Sequence, residues 1–415
     1  MCSFSSRFVN DKFSEYYKGQ SSTIQPPSSI EKREFGFLLF DEKIMLRHKR
    51  FKTPDALRVF FSSFAFSDAY YSCAYYEDPE AEMEKKGWLG ADLIFDIDAD
   101  HIPAGCSKTH DRWACNNCGF TGRGVSPERC PICGSQKFKV DTWLCDICLG
   151  SAKTETLKLF GMLTMDFGFH ESEVKLFFSG HRGYHVHIEN ETVKTLDSSA
   201  RKEIVDYVCG LGIDAAFRRN YERGLKSPSI LKSLSSNSSG WHRRIVSGIR
   251  NLILNIDIQN YKNMGLKKNI TEIIVKNKDM LLKKLENGKT IDLIREISLK
   301  NWEKIIKCCI NFQSVKVDTV VTTDIHRLIR LANTLHGKTG LKKVQVPFSN
   351  IEDFDPFKSA VAFNHGRVSV FVSDVPEFRM GDETFGPYKN QKVELPTAAA
   401  VLLICKGRAE VLTDV

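Results

Sequence analysis

Residues 91–100 read Ala-Asp-Leu-Ile-Phe-Asp-Ile-Asp-Ala-Asp, a run in which carboxylates alternate with apolar side chains. Because side chains alternate across a β-strand, the pattern predicts a buried strand that carries Asp96 and Asp98 on one face. Two carboxylates so placed can bridge hard divalent cations, as two-metal phosphoryl or nucleotidyl transfer requires. A strand that ends in solvent would show the same residues, so the pair alone leaves the function open.

A third carboxylate, Asp318, lies in Val-Lys-Val-Asp-Thr-Val-Val (315–321), a run with strand character that would hold it rigidly. Asp100 lies one step beyond the pair and is a weaker candidate. Asp324 is interpreted instead as the first residue of a helix over 324–331, where an acidic side chain suits the helix dipole. The candidate ligands for catalytic Mg²⁺ or Mn²⁺ are therefore Asp96, Asp98 and Asp318.

The segment Val-Lys-Leu-Phe-Phe-Ser-Gly-His-Arg-Gly-Tyr-His-Val-His-Ile (174–188) predicts a strand, a tight turn and a second strand. Its two glycines allow the backbone to turn sharply and its N–H groups to approach an anion. The side chains suited to phosphate oxygens are Ser179, Arg182 and His185. His185 and His187 share a strand face, so a metal site remains an alternative. With no third ligand in sequence reach, the phosphate-donor role is favoured for His185.

The stretch 324–340 ends in Leu-His-Gly-Lys-Thr-Gly. It is not a Walker phosphate loop, because Ala332 stands where that pattern needs a glycine. Its apolar spacing predicts a short helix with Arg327 and Arg330 off the buried stripe. The candidate phosphate contacts here are Arg330, His336 and Lys338.

The chain has 13 cysteines among 415 residues and no apolar stretch of signal-peptide type at its N-terminus. Metal ligation is therefore expected rather than disulfides. Three Cys-x-x-Cys pairs, one further cysteine and one histidine supply ligands for two tetrahedral, structural zinc sites. The expected sets are an inner ribbon of Cys115, Cys118, Cys130 and Cys133 and an outer set of Cys106, His110, Cys145 and Cys148. An alternative pairing joins Cys106 and His110 to the first knuckle of the ribbon.

Composition bounds the fold class. The net charge is +8, with 42% hydrophobic and 27% charged residues, as in a globular chain compatible with a polyanionic partner. No apolar run approaches the roughly 18 residues of a membrane span. The pattern predicts an α/β or α+β fold, with a β-hairpin over 34–40 and 44–51 that turns at 41–43, a strand pair over 174–190, and helices over 151–165 and 397–405. The expected parts are a catalytic core (1–100, 151–200 and 311–415), a zinc-binding module with an inserted ribbon (101–150) and a basic helical insert (201–310).

Together these stretches resemble the small, catalytic subunit of the archaeal–eukaryotic DNA primase, and the Leu-His-Gly-Lys-Thr-Gly motif is similar to archaeal members. Phe-Asp-Ile-Asp (95–98), Ser-Gly-His-Arg-Gly-Tyr-His (179–185) and Asp318 followed by Arg-Leu-Ile-Arg (327–330) occur in the family's order. The resemblance covers the chain from about Glu34 to Leu341. It implies the archaeo-eukaryotic primase fold with mixed sheets, and primer synthesis on single-stranded DNA by two-metal-ion catalysis.

The resemblance also implies roles for individual residues. Asp96, Asp98 and Asp318 would bind the catalytic metals, and Ser179, Arg182, His185, Arg330 and His336 would line the triphosphate of the incoming nucleotide. Arg47 resembles a further nucleotide-contacting arginine. The outer zinc set matches the family's zinc knuckle, and the inner ribbon resembles an insertion into it. Ala332-Asn-Thr departs from the Pro-Gly-Ser that is common in relatives, which puts the shape of that loop in doubt.

The implied partners are a primase large subunit in a heterodimer, a single-stranded DNA template and nucleoside triphosphates, with no membrane. The implied location is the cytoplasm of an archaeal cell, at the replication machinery. The alternatives are a zinc-ribbon scaffold that binds nucleic acid without catalysis, and a metal-dependent nuclease. A scaffold would explain the zinc ligands and the charge, but not three carboxylates accompanied by phosphate donors.

Overall fold

The computed structural model describes residues 4–40, 44–102, 105–213, 239–256, 266–286 and 297–412. The predicted turn at 41–43 lies outside the described residues. The helices are α1 (Phe4–Gln20), α2 (Pro54–Ser63), α3 (Ser107–His110), α4 (Asp146–Met165), α5 (Glu191–Lys194), α6 (Ser198–Val208), α7 (Gly240–Asn255), α8 (Lys268–Lys276), α9 (Lys278–Glu286), α10 (Leu299–Gln313), α11 (Thr319–Thr323), α12 (Pro356–Ser359) and α13 (Thr397–Cys405). The strands are β1 (Phe35–Leu38), β2 (Met45–Lys49), β3 (Asp68–Ser72), β4 (Ala74–Tyr76), β5 (Trp88–Ala91), β6 (Leu93–Asp98), β7 (Arg112–Cys115), β8 (Thr121–Arg123), β9 (Phe138–Asp141), β10 (Val174–Phe178), β11 (Gly183–Ile188), β12 (Leu328–Arg330), β13 (Val344–Val346), β14 (Arg367–Val375), β15 (Phe378–Met380), β16 (Glu383–Phe385), β17 (Tyr388–Pro396) and β18 (Ala409–Val411).

Two four-stranded sheets carry several of the candidate site residues. Their strand orders are β12-β3-β1-β2 and β13-β10-β11-β6. Smaller sheets are β17-β14-β18, β8-β7-β9 and the pairs β4-β5 and β15-β16. Every strand pair in the described part of the chain is antiparallel. The α+β class is confirmed, whereas the expected mixed sheets are not found among these pairs.

An aromatic core lies between the first sheet and the two N-terminal helices. Helix α1 buries Val9, Phe13, Tyr16 and Tyr17, a spacing that places them on one helix face. These residues pack with Phe37 and its neighbours on β1 in one buried cluster. Burial of an aromatic side chain stabilises a fold by roughly 1.5–3 kcal/mol, so this core fixes the sheet that later supplies one wall of the site.

The chain divides into two compact units. The first comprises Met1–Thr156, Glu171–Arg201 and Val317–Val415, and the second comprises Leu157–His170 and Lys202–Lys316. The second unit is helical wherever it is described outside its turns. No helix in the described ranges is long and apolar enough to cross a membrane. The three-part division predicted from the sequence, with its separate zinc module, stays a prediction.

The hairpin β1–β2, the pair β10–β11 and helix α13 confirm the predicted elements at those places. The predicted helix over 324–331 is wrong. Asp324 is the C-cap of α11, and residues 328–330 form β12, which pairs with β3. A short apolar run does not distinguish a helix from a strand. Here the pairing with β3, which is distant in sequence, determines that these residues form a strand.

Candidate active site

The two aspartates of the opening motif lie where β6 pairs with β11. His185 is opposite Asp96, and Gly183 is opposite Asp98. A Cβ atom added at Gly183 would come within 2.1 Å of the carbonyl oxygen of Ile97, so only glycine allows the two backbones to approach this closely. The carboxylates and the glycine-containing turn are therefore held in one rigid register.

Asp318 joins this pair through the backbone. Its N–H donates to the carbonyl oxygen of Asp96 at 2.8 Å. The sequence predicted a strand here, but Asp318 is instead the N-cap of α11, where its side chain accepts a hydrogen bond from the N–H of Val320 at 2.9 Å. Capping satisfies an otherwise unpaired amide of the helix, and it holds the carboxylate as firmly as a strand would.

The electrostatics of Asp96 are unfavourable. Burial, together with the nearby carboxylates of Asp98 and Asp318, raises the pKa of Asp96 from 3.8 to about 7. The Nε2 atom of His185 lies 3.5 Å from a carboxylate oxygen of Asp96. Burial and the cations around it, Lys343 first, hold the pKa of His185 well below its ordinary value, so this imidazole is neutral and does not offset the negative charge.

The donor set suits hard cations such as Mg²⁺ or Mn²⁺. In the described part of the chain, only the two cysteine-containing groups bring three or more ligand atoms within 4.8 Å of one another. The three carboxylates are thus spread more widely than a single closed site. Such a spread fits two ions about 3.5–4 Å apart better than one.

The turn between β10 and β11 is locked by its own groups. The Ser179 hydroxyl accepts from the N–H groups of His181 at 3.2 Å and Gly183 at 3.3 Å. Gly180 has φ of +84°, a conformation that glycine adopts without strain. Its carbonyl accepts from the Thr339 hydroxyl at 2.6 Å, which joins this turn to the Leu-His-Gly-Lys-Thr-Gly turn.

The second turn is anchored by a buried ion pair. Arg330 lies 2.5 Å from Asp68 and donates to the Leu335 carbonyl at 2.9 Å. Asp68 also accepts from the N–H of Gly337 at 3.0 Å. Burial opposes ionisation of Asp68, but Arg330 and that N–H outweigh it and hold the pKa of Asp68 below its ordinary value. His336 stacks on His181 with ring centroids 4.9 Å apart.

These groups surround one cavity of about 180 Å³. Six of the residues predicted for the site line it, and three polar residues outside that set do so as well. The six are Asp96, Asp98, Ser179, His185, Arg330 and His336, and the three are Tyr70, His181 and Arg327. Tyr70 sits on β3 beside Arg330, and no motif marks it. His181 lies within the motif of residues 179–185, and its position there could have marked it as a site residue.

Three predicted phosphate contacts, Arg47, Arg182 and Lys338, do not line this cavity, and neither does the predicted metal ligand Asp318. The guanidinium of Arg182 is 1% exposed and lies 2.8 Å from Asp100 and 3.3 Å from Asp111. Arg47 pairs with the buried Glu34 at 3.0 Å. Each guanidinium is instead paired with carboxylates of the chain, Arg182 with Asp100 and Asp111 and Arg47 with Glu34. Their direct contact with a nucleotide remains a prediction.

The zinc ligands assemble in the expected sets, and the alternative pairing is not found. Neighbouring sulfur atoms lie 3.3–3.6 Å apart in the outer set and 3.5–3.6 Å apart in the inner set. Tetrahedral zinc with Zn–S bonds of about 2.3 Å needs sulfur atoms roughly 3.8 Å apart, so both sets fit the metal. His110 Nε2 lies 3.3 Å from Cys145 Sγ, and its Nδ1 contacts Asp111 at 2.7 Å. Such a carboxylate orients a histidine ligand.

Comparison with known proteins gives one consistent result. Residues 140–349 match the family model of the DNA primase small subunit. The chain is 32% identical over 430 residues to the DNA primase small subunit PriS of Methanothrix thermoacetophila, with 99% of this chain and 100% of that protein covered. It is 34% identical over 407 residues to the DNA primase small subunit PriS of Archaeoglobus fulgidus, with 97% of each covered.

Proposed function

This chain belongs to the DNA primase small subunit family and is therefore a primase, and from that premise we propose that it joins nucleotides on a single-stranded DNA template by two-metal-ion catalysis. Asp96, Asp98 and Asp318 hold the two ions. When bound, Mg²⁺ or Mn²⁺ supplies Lewis-acid activation of the attacking 3′-hydroxyl and charge stabilisation for the leaving pyrophosphate. The observation that carries this proposal is the clustering of the three acids: Asp96 and Asp98 line the 180 Å³ cavity, and Asp318 is close enough to raise the pKa of Asp96.

Three other residues that line the cavity, Ser179, His336 and Arg330, donate hydrogen bonds to the phosphate oxygens of the nucleotide. Both acceptor positions of the Ser179 hydroxyl are used by backbone N–H groups, so its own proton is available to a phosphate oxygen. The Nδ1 atom of His336 accepts from the N–H of Lys338 at 3.1 Å. In a neutral imidazole the other nitrogen then carries the proton and donates. Arg330 adds a permanent positive charge.

His185 has a positioning and donating role beside the metal ligands. Its Nε2 faces Asp96, and its buried Nδ1 has no hydrogen-bond partner among the described residues. An unpaired buried polar atom is costly, and a ligand in the cavity offers it a partner. Because the imidazole is neutral, it adds no positive charge that would compete with a metal ion for the carboxylate.

Both cysteine-containing sets hold zinc in a structural role, because each provides four protein ligands and leaves no open position. Arg182 acts as a positioning residue between the outer set and the carboxylate strand, through Asp111 on one side and Asp100 on the other. The large subunit of primase is the proposed partner, and the cytoplasm of an archaeal cell is the proposed location.

Incubation with unprimed single-stranded DNA, labelled nucleotides and Mg²⁺ or Mn²⁺ tests the function. Asp96→Ala and Asp318→Ala should abolish primer synthesis and leave thermal unfolding cooperative. Asp353→Ala, which removes an exposed carboxylate outside the cavity, is the matched control and should retain activity. Shortening of the template would indicate a nuclease, and binding without new strands would indicate a scaffold. Near-normal synthesis by either active-site variant would refute the assignment.

A further inference from the structure

One face of the inserted zinc ribbon carries three cations, Arg112, Arg123 and Lys139, and one carboxylate, Asp141, which is opposite Arg112. In the sheet β8-β7-β9, Arg112 stands directly opposite Arg123 on one side. Like charges in directly opposed positions destabilise a sheet. Alternation places Ala114 and Thr121 on this same face, and Lys139 is opposite Ala114. The small residues leave room between the cations.

The opposite face of the ribbon supplies the packing. The Trp113 ring lies against Gly122, where an added Cβ would come within 2.3 Å of the ring. Phe138 meets the same ring edge to face at 5.3 Å. The apolar packing of the ribbon and its zinc ligands therefore do not involve the charged side chains of the face that carries the three cations.

This face forms one side of a groove. A cavity of about 540 Å³ lies over it, and a second cavity of about 340 Å³ adjoins it and shares Arg112, Arg123 and Arg408. The cations that line the two are Arg112, Arg123, Lys139, Lys389 and Arg408, against the carboxylates Asp141 and Asp374. We call these residues the ribbon groove.

Two of the five cations are already paired. Arg112 lies 2.7 Å from Asp374, and Arg408 forms an ion pair with Asp141. Arg123, Lys139 and Lys389 are exposed, and no carboxylate oxygen in the described part of the chain lies within 4.0 Å of them. The groove therefore has an excess of positive charge directed to solvent.

The ribbon groove lies next to the catalytic cavity, and a few residues separate the two. Lys406, two residues before Arg408, donates to the carbonyl oxygen of Thr142 at 3.1 Å. Its Nζ also lies 2.9 Å from Nε2 of His181, which lines the catalytic cavity. Residues 141–142 and 406–408 thus lie between the ribbon groove and the catalytic cavity.

We infer that the ribbon groove binds the phosphodiester backbone of the single-stranded template close to the catalytic cavity. The inference rests on the proposed template-directed function. Positive grooves that follow a backbone bind single strands with little sequence preference and with strong dependence on salt. The well-packed Trp113 is 8% exposed, so ionic contacts dominate over base stacking.

The test measures binding of a fluorescent single-stranded oligonucleotide to the full chain by anisotropy at several salt concentrations. Arg123→Ala with Lys139→Ala removes two solvent-directed cations and leaves both ion pairs of the groove intact. Each phosphate contact on a single strand contributes about 0.7 to the slope of log affinity against log salt. The double variant should therefore lower that slope by about 1.4. Lys18→Ala with Lys52→Ala removes two exposed lysines elsewhere and should leave it unchanged.

Further readouts separate this inference from the proposed function. Arg123→Lys with Lys139→Arg keeps the charges and should keep the wild-type slope. In primer synthesis the double alanine variant should raise the KM for template with kcat unchanged at saturating template. A wild-type slope in the double alanine variant, an equal loss in the control, or a loss confined to duplex DNA would overturn the inference. Asp96→Ala should bind the oligonucleotide normally while it makes no primer. Failure of the wild-type chain to make primers would count against the proposed function alone, because anisotropy still tests the groove.

Discussion

Asp96→Asn should stabilise the metal-free protein while it abolishes synthesis. Burial and the neighbouring carboxylates raise the pKa of Asp96 from 3.8 to about 7 in the folded chain. That displacement corresponds to about 4 kcal/mol against the ionised form. Below pH 4 both the folded and unfolded states bind the proton, and no cost arises. As the pH rises from about 4 to about 7, only the unfolded state loses it, so stability falls and the full cost is present above pH 7.

The experiment compares chemical denaturation of the wild type and Asp96→Asn at pH 5 and pH 8. The buffer should be freed of Mg²⁺ and Mn²⁺ with a chelating resin before the protein is added, because a soluble chelator would also remove zinc from the cysteine-containing sets that are proposed to hold it. At pH 8 the variant should be more stable by up to about 4 kcal/mol, and at pH 5 the gap should shrink. Added Mn²⁺ should stabilise the wild type, because binding to the folded state alone adds stability, and should have a smaller effect on the variant.

Asp353→Asn is the control for the loss of one carboxylate, since it lies outside the cavity. It should leave the pH dependence of stability and the response to Mn²⁺ unchanged. Equal stability of the wild type and Asp96→Asn at pH 8 without divalent ions would refute the reasoning. So would an equal response of both to Mn²⁺.

Three further predictions test the residues that support the site. Gly183→Ala places a Cβ about 2 Å from a carbonyl oxygen of the neighbouring strand. It should lower the free energy of unfolding in denaturant by about 1–3 kcal/mol and should reduce activity. The control Gly19→Ala, which has no atom within 4 Å of the added Cβ, should change neither. Asp68→Asn leaves its buried arginine partner unpaired and should lower the free energy of unfolding by about 3–5 kcal/mol; a smaller loss than 1 kcal/mol would contradict that role. Cys148→Ser and Cys133→Ser should each release one zinc ion in a metal assay. Only Cys148→Ser should reduce primer synthesis, because it also removes a contact to Arg182. Equal activity of the two variants would argue against coupling between the outer set and the active site.

The sequence predicts features that depend on local spacing. Alternation over 93–98 placed Asp96 and Asp98 on one face, and the structure has them in β6. The Cys-x-x-Cys spacing predicted the ribbon, because a knuckle needs only its own few residues to form. Such features need no partner from a distant part of the chain, and therefore a single sequence contains enough information for them.

Features that depend on distant partners were not predicted. Residues 328–330 have helical apolar spacing, yet they pair with β3, more than 250 residues earlier in the chain. Arg182 was expected in the cavity, but Asp111 from the zinc module competes for its guanidinium. Asp318 was assigned to a strand, although an aspartate before Thr-Val-Val-Thr-Thr also fits a helix N-cap. For residues 328–330 and for Arg182 a distant partner outweighed the local pattern, whereas for Asp318 one local pattern, the helix N-cap, outweighed another.

The cavity separates charge in a way that stability alone does not explain. Arg330 is paired with Asp68, while Asp96 has only the neutral His185 as an ion-pair neighbour within 4.0 Å among the described residues. A chain selected for stability alone would place a cation beside the buried acid, because an unpaired buried charge is costly. The carboxylates of Asp96 and Asp98 favour bound cations, and the donors Ser179, His336 and Arg330 favour a bound anion. A nucleoside triphosphate with its divalent ions satisfies both groups at once, and neither the metal nor the nucleotide alone does so.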